Sequence, residues 1–310
     1  MYRITKADIG GTELYMNKIS LKAYAKINLH LDVASKYPNG YHEVRTVMQT
    51  VSLCDDVEVS LNDGAENTLW CDVEGVPTDS RNIAWRAADI FFEACGIRGG
   101  ADIRITKRIP MAAGMAGGSA DGAAVLKALN LLCKEPLSME ELLALGAKLG
   151  ADVPFCIKGG TGYADGIGAE LHSFPEMPKC HLVTACGKEG VSTPWAYSEL
   201  DALYSDFANG VYEPFEVSRL REAFEKGDIS DVADNMYNIF ESAIEPKRPE
   251  VTAIKKLMLE SGALGAMMSG SGPSVFGIFS CEVEAKAAEA RLRKTGVAAF
   301  YAVPVRDTEF

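Results

Sequence analysis

The chain has no apolar run approaching the roughly 20 residues that a membrane helix needs, and no Cys-x-x-Cys pair. It has no basic surplus either: 43 acidic residues outnumber 31 basic ones, for a net charge of −12. Nucleic-acid phosphates demand a basic face, so this balance argues against such a partner. It leaves room for a small anion, because a few local donors can reverse the field inside a cleft. There are only four histidines, none at zinc spacing from a cysteine, and no Gly-x-Ser-x-Gly elbow. Neither a zinc site nor an acyl-transfer hydrolase is indicated. The first 20 residues carry Arg3, Lys6, Asp8 and Glu13 and lack the apolar core of a signal peptide. The eight cysteines are scattered among apolar neighbours and read as small buried hydrophobes of a reducing compartment. The expected setting is cytoplasmic, away from membrane and nucleic acid.

What is present is a 310-residue chain, 47% apolar, long enough for one large domain or two. Its most informative run is Pro110-Met-Ala-Ala-Gly-Met-Ala-Gly-Gly-Ser-Ala-Asp121, followed by an Ala/Leu/Val-rich helical segment over 122–132. Glycines let backbone N–H groups converge on an anion, and a helix N-terminus adds free donors and partial positive charge. No Gly-Lys-Ser/Thr follows and the spacing is not Gly-x-Gly-x-x-Gly, so neither familiar phosphate fingerprint applies. A plain glycine-rich turn remains the alternative.

Around this loop, alternation predicts strands over 21–33, 44–53, 57–61 and 101–109, and the composition of 80–95 predicts a helix closed by Gly96. Asn39-Gly40 marks a turn. Ser138 with Glu141 has the form of a capping box, for a helix that Gly150 ends. Gly159-Gly-Thr-Gly162 reads as a flexible junction, with strands beyond it at 181–186, 264–268, 275–279 and 298–305 and helices near 215–226 and 281–294. The class is α+β in two domains, 1–160 and 161–310.

Phosphate transfer to an alcohol also needs a group that takes the hydroxyl proton and a cation that balances charge. Lys26, in an otherwise apolar strand with Asn28 on the same side of the pleat, is either that cation or a solvated edge residue. Asp152 is an N-cap by position, and a capping site beside a lysine also favours an ionised carboxylate. A second donor-rich run, Met268-Ser-Gly-Ser-Gly-Pro-Ser274, suggests a second wall of one anion-lined cleft.

These residues resemble the three motifs of the GHMP small-molecule kinase superfamily, in order: Lys26-Ile-Asn28, Pro110 to Asp121, and Ser269-Gly-Ser-Gly272. Asn39-Gly-Tyr-His42, Leu149-Gly-Ala-Asp-Val-Pro154, and Gly190-Val-Ser-Thr193 with Tyr197 are similar to the branch that acts on a cytidine-diphosphate-linked methylerythritol. The resemblance implies a two-domain fold with a cleft, and ATP-dependent phosphorylation of that alcohol's 2-hydroxyl, a step of non-mevalonate isoprenoid synthesis. It implies Asp152 as base and Lys26 as the polarising cation, with Asn28 beside the substrate. Pro110, Gly114, Gly117, Gly118 and Ser119 would wrap the ATP phosphates, with the Ser119 hydroxyl the candidate neighbour of Mg2+. Asn82 would border the adenine. Tyr41, His42, Thr193 and Tyr197, with Gly270 and Gly272, would receive the substrate, the aromatic rings suiting the π-face of a pyrimidine. A monomer or weak homodimer is expected. Two positions depart from the pattern: Met115 for leucine, and Ala120 where this branch often has a second serine. Homoserine, a sugar or mevalonate are the alternative substrates, and a catalytically silent nucleotide sensor the alternative class.

Overall fold

The computed structural model describes residues 18–62, 64, 66–187, 189–204 and 212–306. Arg3, Lys6, Asp8 and Glu13 lie outside the described residues. The fold starts from a long antiparallel hairpin, β1 (Lys18–Lys36) and β2 (His42–Asn62), around the expected Asn39-Gly40 turn. Register slips between Tyr24 and Lys26 and between Asn28 and His30 bracket Lys26 and Asn28 of β1. Such bulges re-aim side chains. The runs 44–53 and 57–61 form one strand rather than two. Asp55, mid-strand, does not break it because its carboxylate is satisfied by the Arg108 and Ile109 N–H groups and by Lys107.

β3 (Thr68–Cys71), α1 (Ile83–Cys95) and β4 (Gly100–Thr106) follow, then α2 (Gly117–Leu132), α3 (Met139–Leu149), α4 (Val153–Lys158) and the hairpin β5 (Thr161–Asp165) and β6 (Glu170–Ser173). After β7 (His181–Cys186) come α5 (Thr193–Leu203), α6 (Ser218–Lys226), α7 (Ile229–Asp234), β8 (Tyr237–Asn238), α8 (Phe240–Ile244) and α9 (Pro249–Leu259). β9 (Gly265–Met268), β10 (Val275–Phe279), α10 (Glu282–Lys294) and β11 (Ala298–Ala302) complete the described chain. One sheet runs β3-β4-β2-β1-β8, with β5 on β2 and β6 on β5. The other is antiparallel, in the order β11-β7-β10-β9.

The strand pairing of the first sheet continues past residue 160. β5 joins β2 through Thr161↔Gln49 to Ala164↔Thr46, so the first sheet extends to Ser173. The presumed flexible junction is therefore structured: Gly160 O accepts the Thr50 N–H, and Gly162 is a strand residue. Glycine here serves close packing, since a Cβ on Gly162 would touch the Phe155 ring.

α1, α2 and α3 cover one face of the first sheet. Ile27, Leu29 and Val47 share a second core with Leu182, Phe276 and Ile278 of the other sheet. β1 is thus enclosed on both sides, which is why its middle is buried almost without a break although Lys26, Asn28, His30 and Asp32 alternate there with apolar residues. The capping box forms as expected, with the Glu141 N–H on Ser138 Oγ and the Ser138 N–H on the Glu141 carboxylate. Ser138→Ala should lower the urea-unfolding free energy by about 1 kcal/mol with activity unchanged.

Candidate active site

Leaving β4, the chain is anchored by Asp55 and then crosses from Pro110 to α2. Ala116 caps α2 in the left-handed region, without a side-chain hydrogen bond, and the Ala120 N–H is the first to bond back, to Ala116 O. The N–H groups of Gly117, Gly118 and Ser119 therefore precede the helical ladder, as an anion site requires.

Gly114 has φ +76°, and a Cβ there would fall on the Ser269 carbonyl oxygen. The third-motif loop braces the phosphate loop directly. Ser269 Oγ donates to Gly114 O (3.0 Å) and accepts the Asn28 N–H (3.3 Å), and the Ser274 N–H reaches Ala113 O (3.2 Å). Gly270 and Ser271 border the cleft, and Gly272 follows at φ +83° with a hypothetical Cβ directed at Met268. Thr193 Oγ1 lies 3.2 Å from Ser271 Oγ and ties the start of α5 to this loop.

Lys26 is not a solvated edge residue. It is 4% exposed, in the strand between β2 and β8, and its Nζ donates to Asn28 Oδ1 at 2.7 Å. The Asn28 amide is oriented by a chain: Thr46 spends its one hydroxyl proton on His30 O, so it must accept from Asn28 Nδ2. That leaves Oδ1 for the lysine. Asn28 is therefore an orienting group for Lys26 as well as a cleft residue. Asp152 holds the N-cap position of α4 but makes no capping hydrogen bond. Its Oδ2 lies 3.9 Å from Lys26 Nζ, too far for direct hydrogen bonding. One alcohol oxygen fits between them, within about 3 Å of each.

Asn82 also lines the cleft, but its side chain is engaged in the fold, capping α1 through Ala84 N–H and donating to Pro77 O. Pro110, Gly114, Gly117, Gly118 and Ser119 line the same cavity.

At the far end Tyr41 is 63% exposed on its turn, while His42 is buried, its ring stacked on Tyr197 (centroids 4.6 Å, planes 24° apart). Phe240 meets Tyr197 edge-on. Burial pushes the Tyr197 phenol up to about 12, so it stays a neutral hydroxyl.

Sequence reasoning gave no role to five charged residues here. Asp201 and Lys36 bracket His42. Lys107 lies behind the phosphate loop between Asp55 (2.5 Å) and Asp121 (2.8 Å), all three nearly inaccessible. Burial drives the Asp121 carboxyl up to about 7 against the pull of Lys107. Burial alone would lower the Lys107 ammonium, yet Asp121 and Asp55 prevail and raise it. Asp55 lies in β2, Lys107 just past β4 and Asp121 in α2, a spread with no local signature, so only the tertiary packing reveals this cluster.

The cavity joining these groups measures about 1050 Å³. Ligand pockets typically run ~300–1,000 Å³, so this one has room for a nucleotide and a second substrate together.

An anion cradle at a helix N-terminus, opening on a lysine-paired carboxylate, defines a phosphotransferase that acts on an alcohol. Comparison with known proteins agrees: residues 82–160 match the GHMP kinases N terminal domain and residues 220–298 the GHMP kinases C terminal domain. A 4-diphosphocytidyl-2-C-methyl-D-erythritol kinase of Acetivibrio thermocellus is 46% identical over 270 residues, covering 87% of this chain and 93% of that protein. A crystal structure of 4-(cytidine 5'-diphospho)-2C-methyl-D-erythritol kinase superposes with TM-score 0.77 at 32% identity, over 92% of this chain and 98% of that one. Homoserine kinase from Cytophaga hutchinsonii, at 20% identity, TM-score 0.73 and coverage of 97% and 98%, shares the fold. The chain belongs to the GHMP kinases, in the family of the 4-diphosphocytidyl-2-C-methyl-D-erythritol kinases.

Proposed function

We propose that this chain uses ATP to phosphorylate the 2-hydroxyl of 4-diphosphocytidyl-2-C-methyl-D-erythritol, a step of non-mevalonate isoprenoid synthesis that releases ADP. The observation that carries the reading is that phosphate cradle, Lys26–Asp152 pair and aromatic pocket open on one cavity. In this reading the alcohol oxygen lies between Lys26 and Asp152. Asp152 takes the hydroxyl proton as the O–P bond forms and the bond to the β-phosphate bridging oxygen breaks. Lys26, aimed by Asn28, balances charge on the moving phosphoryl. The free N–H groups of Gly117, Gly118 and Ser119 hold the phosphates and cost no reorganisation as charge shifts.

No group of three or more His, Cys, Asp or Glu among the described residues is placed to hold a metal. A magnesium ion bound with the nucleotide would supply charge neutralisation. Ser119, whose hydroxyl makes no hydrogen bond to another described residue, offers the hard oxygen that fits beside it. Among the described residues no helix is long and apolar enough to cross a membrane. The proposed partner is a small molecule in the cytoplasm.

Coupled ADP-release assays across the cytidine-diphospho compound, homoserine, mevalonate and a sugar test the reading. Turnover is expected with the first alone, and turnover of another alcohol instead would replace the substrate and keep the chemistry. Tyr41 gives a finer check, because base stacking contributes about 1–3 kcal/mol. Tyr41→Ala should raise KM for the cytidine-linked substrate about 10–100-fold, with KM for ATP steady; an unchanged substrate KM would rule the cytidine reading out.

A further inference from the structure

Tyr197 and Asp201 are four residues apart on α5 and so lie on one face, a turn apart. His42, the first residue of β2, sits against that face. Stacking on Tyr197 sets the plane of its ring, and Nε2, 2.7 Å from Asp201 Oδ1, sets its rotation within that plane. The second carboxylate oxygen lies 2.5 Å from the ammonium of Lys36, the last residue of β1. Burial works against the Asp201 carboxylate, but hydrogen bonds from Lys36 and His42 outweigh it and hold the carboxyl below its ordinary range. An ionised carboxylate only accepts, so the proton in this bond belongs to Nε2. A neutral imidazole protonated at Nε2 keeps its lone pair on Nδ1. Among the described residues Nδ1 has no hydrogen-bond partner, and the ring lines the cavity beside Tyr41.

We propose that Asp201, backed by Lys36, is a positioning residue that sets the base specificity of the pocket. It holds His42 as the Nε2–H tautomer, so that Nδ1 accepts a hydrogen bond from the exocyclic amine of cytosine and turns away the carbonyl of uracil. This rests on the cytidine reading above. A site built to accept from an amine rejects the analogue that offers another acceptor, because two lone pairs are then buried face to face. None of this needs contact between Asp201 and the substrate.

The test combines 15N NMR of the His42 ring in the full-length protein with kinetics on the cytidine-linked alcohol and its uridine-linked counterpart. In the unmutated protein Nε2 should carry the proton. In Asp201→Asn the amide can turn an N–H toward Nε2, and the Nδ1–H form should appear. KM for the cytidine-linked alcohol should rise about tenfold, the worth of one good hydrogen bond, with kcat and KM for ATP within about twofold. Preference over the uridine-linked form should shrink by a similar factor. Asp201→Glu, which keeps the charge, should preserve the preference, and Lys36→Met should weaken it part-way. An Nδ1–H tautomer in the unmutated protein would overturn the proposal. So would an unchanged preference in Asp201→Asn, or a loss spread equally over kcat and both KM values, which marks a merely structural role. If the unmutated enzyme ignores the cytidine-linked alcohol, the functional reading fails and the specificity proposal falls with it. If it turns that alcohol over while Asp201→Asn behaves as the parent does, only the proposal fails.

Discussion

Asp152→Asn should lower kcat about 10²–10⁴-fold while nucleotide affinity stays within about twofold, read by ADP release and by ATP-analogue titration. The substitution is nearly isosteric, so geometry survives and only proton acceptance is lost. Stability should hold as well, because Asp152 occupies a cap position without making a capping bond. The absence of a capping bond is the reason the two effects separate. An aspartate engaged in capping would lose about 0.5–2 kcal/mol of folding stability on losing its cap. Lys26 lies on the other side of the space where the alcohol oxygen fits, and its Nζ stays tied to Asn28 in the variant. Retention of more than a tenth of the parent rate would remove Asp152 from the role of base.

Lys107→Met should cost about 3–5 kcal/mol of unfolding free energy at pH 8, the usual penalty for stripping the partner from a buried charge. Lys107 is the ammonium between Asp55 and Asp121. Asp55 would keep two backbone N–H donors, from Arg108 and Ile109. Asp121 would keep none of its charged partners, and its Oδ1 is already buried without a hydrogen bond. Asp121 has a folded-state pKa raised to about 7, above the ordinary carboxyl range. A raised acid binds its proton more tightly in the folded state, so its contribution to stability declines as pH climbs from about 4, the ordinary Asp value, toward 7. Removing the lysine raises that carboxyl further. The variant should therefore be much less destabilised at pH 5.5 than at pH 8, as urea unfolding at both values will read. Lys107→Met combined with Asp121→Asn should recover part of the loss at pH 8. Equal losses at the two pH values would exclude uncompensated charge as the cause.

Local signals in the sequence were strong wherever one segment makes its own structure. The Ser138–Glu141 box and the Gly96 stop after α1 act within a few residues, and each is found where its spacing predicts, whereas α2 starts at Gly117 rather than at 122 and takes Gly117 and Gly118 into its first turn. Signals weakened where a segment answers to a distant partner. Gly159 to Gly162 read as a loose junction because glycine is a breaker in isolation, yet β2 takes the segment in as a strand. Asp55 and Asp56 read as a gap between strands, and become part of one because Lys107, Arg108 and Lys22 meet them across the sheet. Lys26 read as an edge residue or a cation and Asp152 as an N-cap that could also serve as a base; the fold buries the first and leaves the second without a capping bond.

By itself the sequence determined the order of the parts, a glycine-rich helix entry, a strand lysine, an aspartate before a short helix and scattered aromatics, and its resemblance to the GHMP kinases implied their chemistry. These are local properties of residue type and spacing, and the chain carries them wherever it folds. Only the tertiary structure decided which of them share one cavity and that Asp201 and Lys36 hold His42. The reason is distance along the chain. His42 and Asp201 are 159 residues apart, and a contact of that separation comes from sheet pairing and core packing between the two lobes, which no short window of sequence contains.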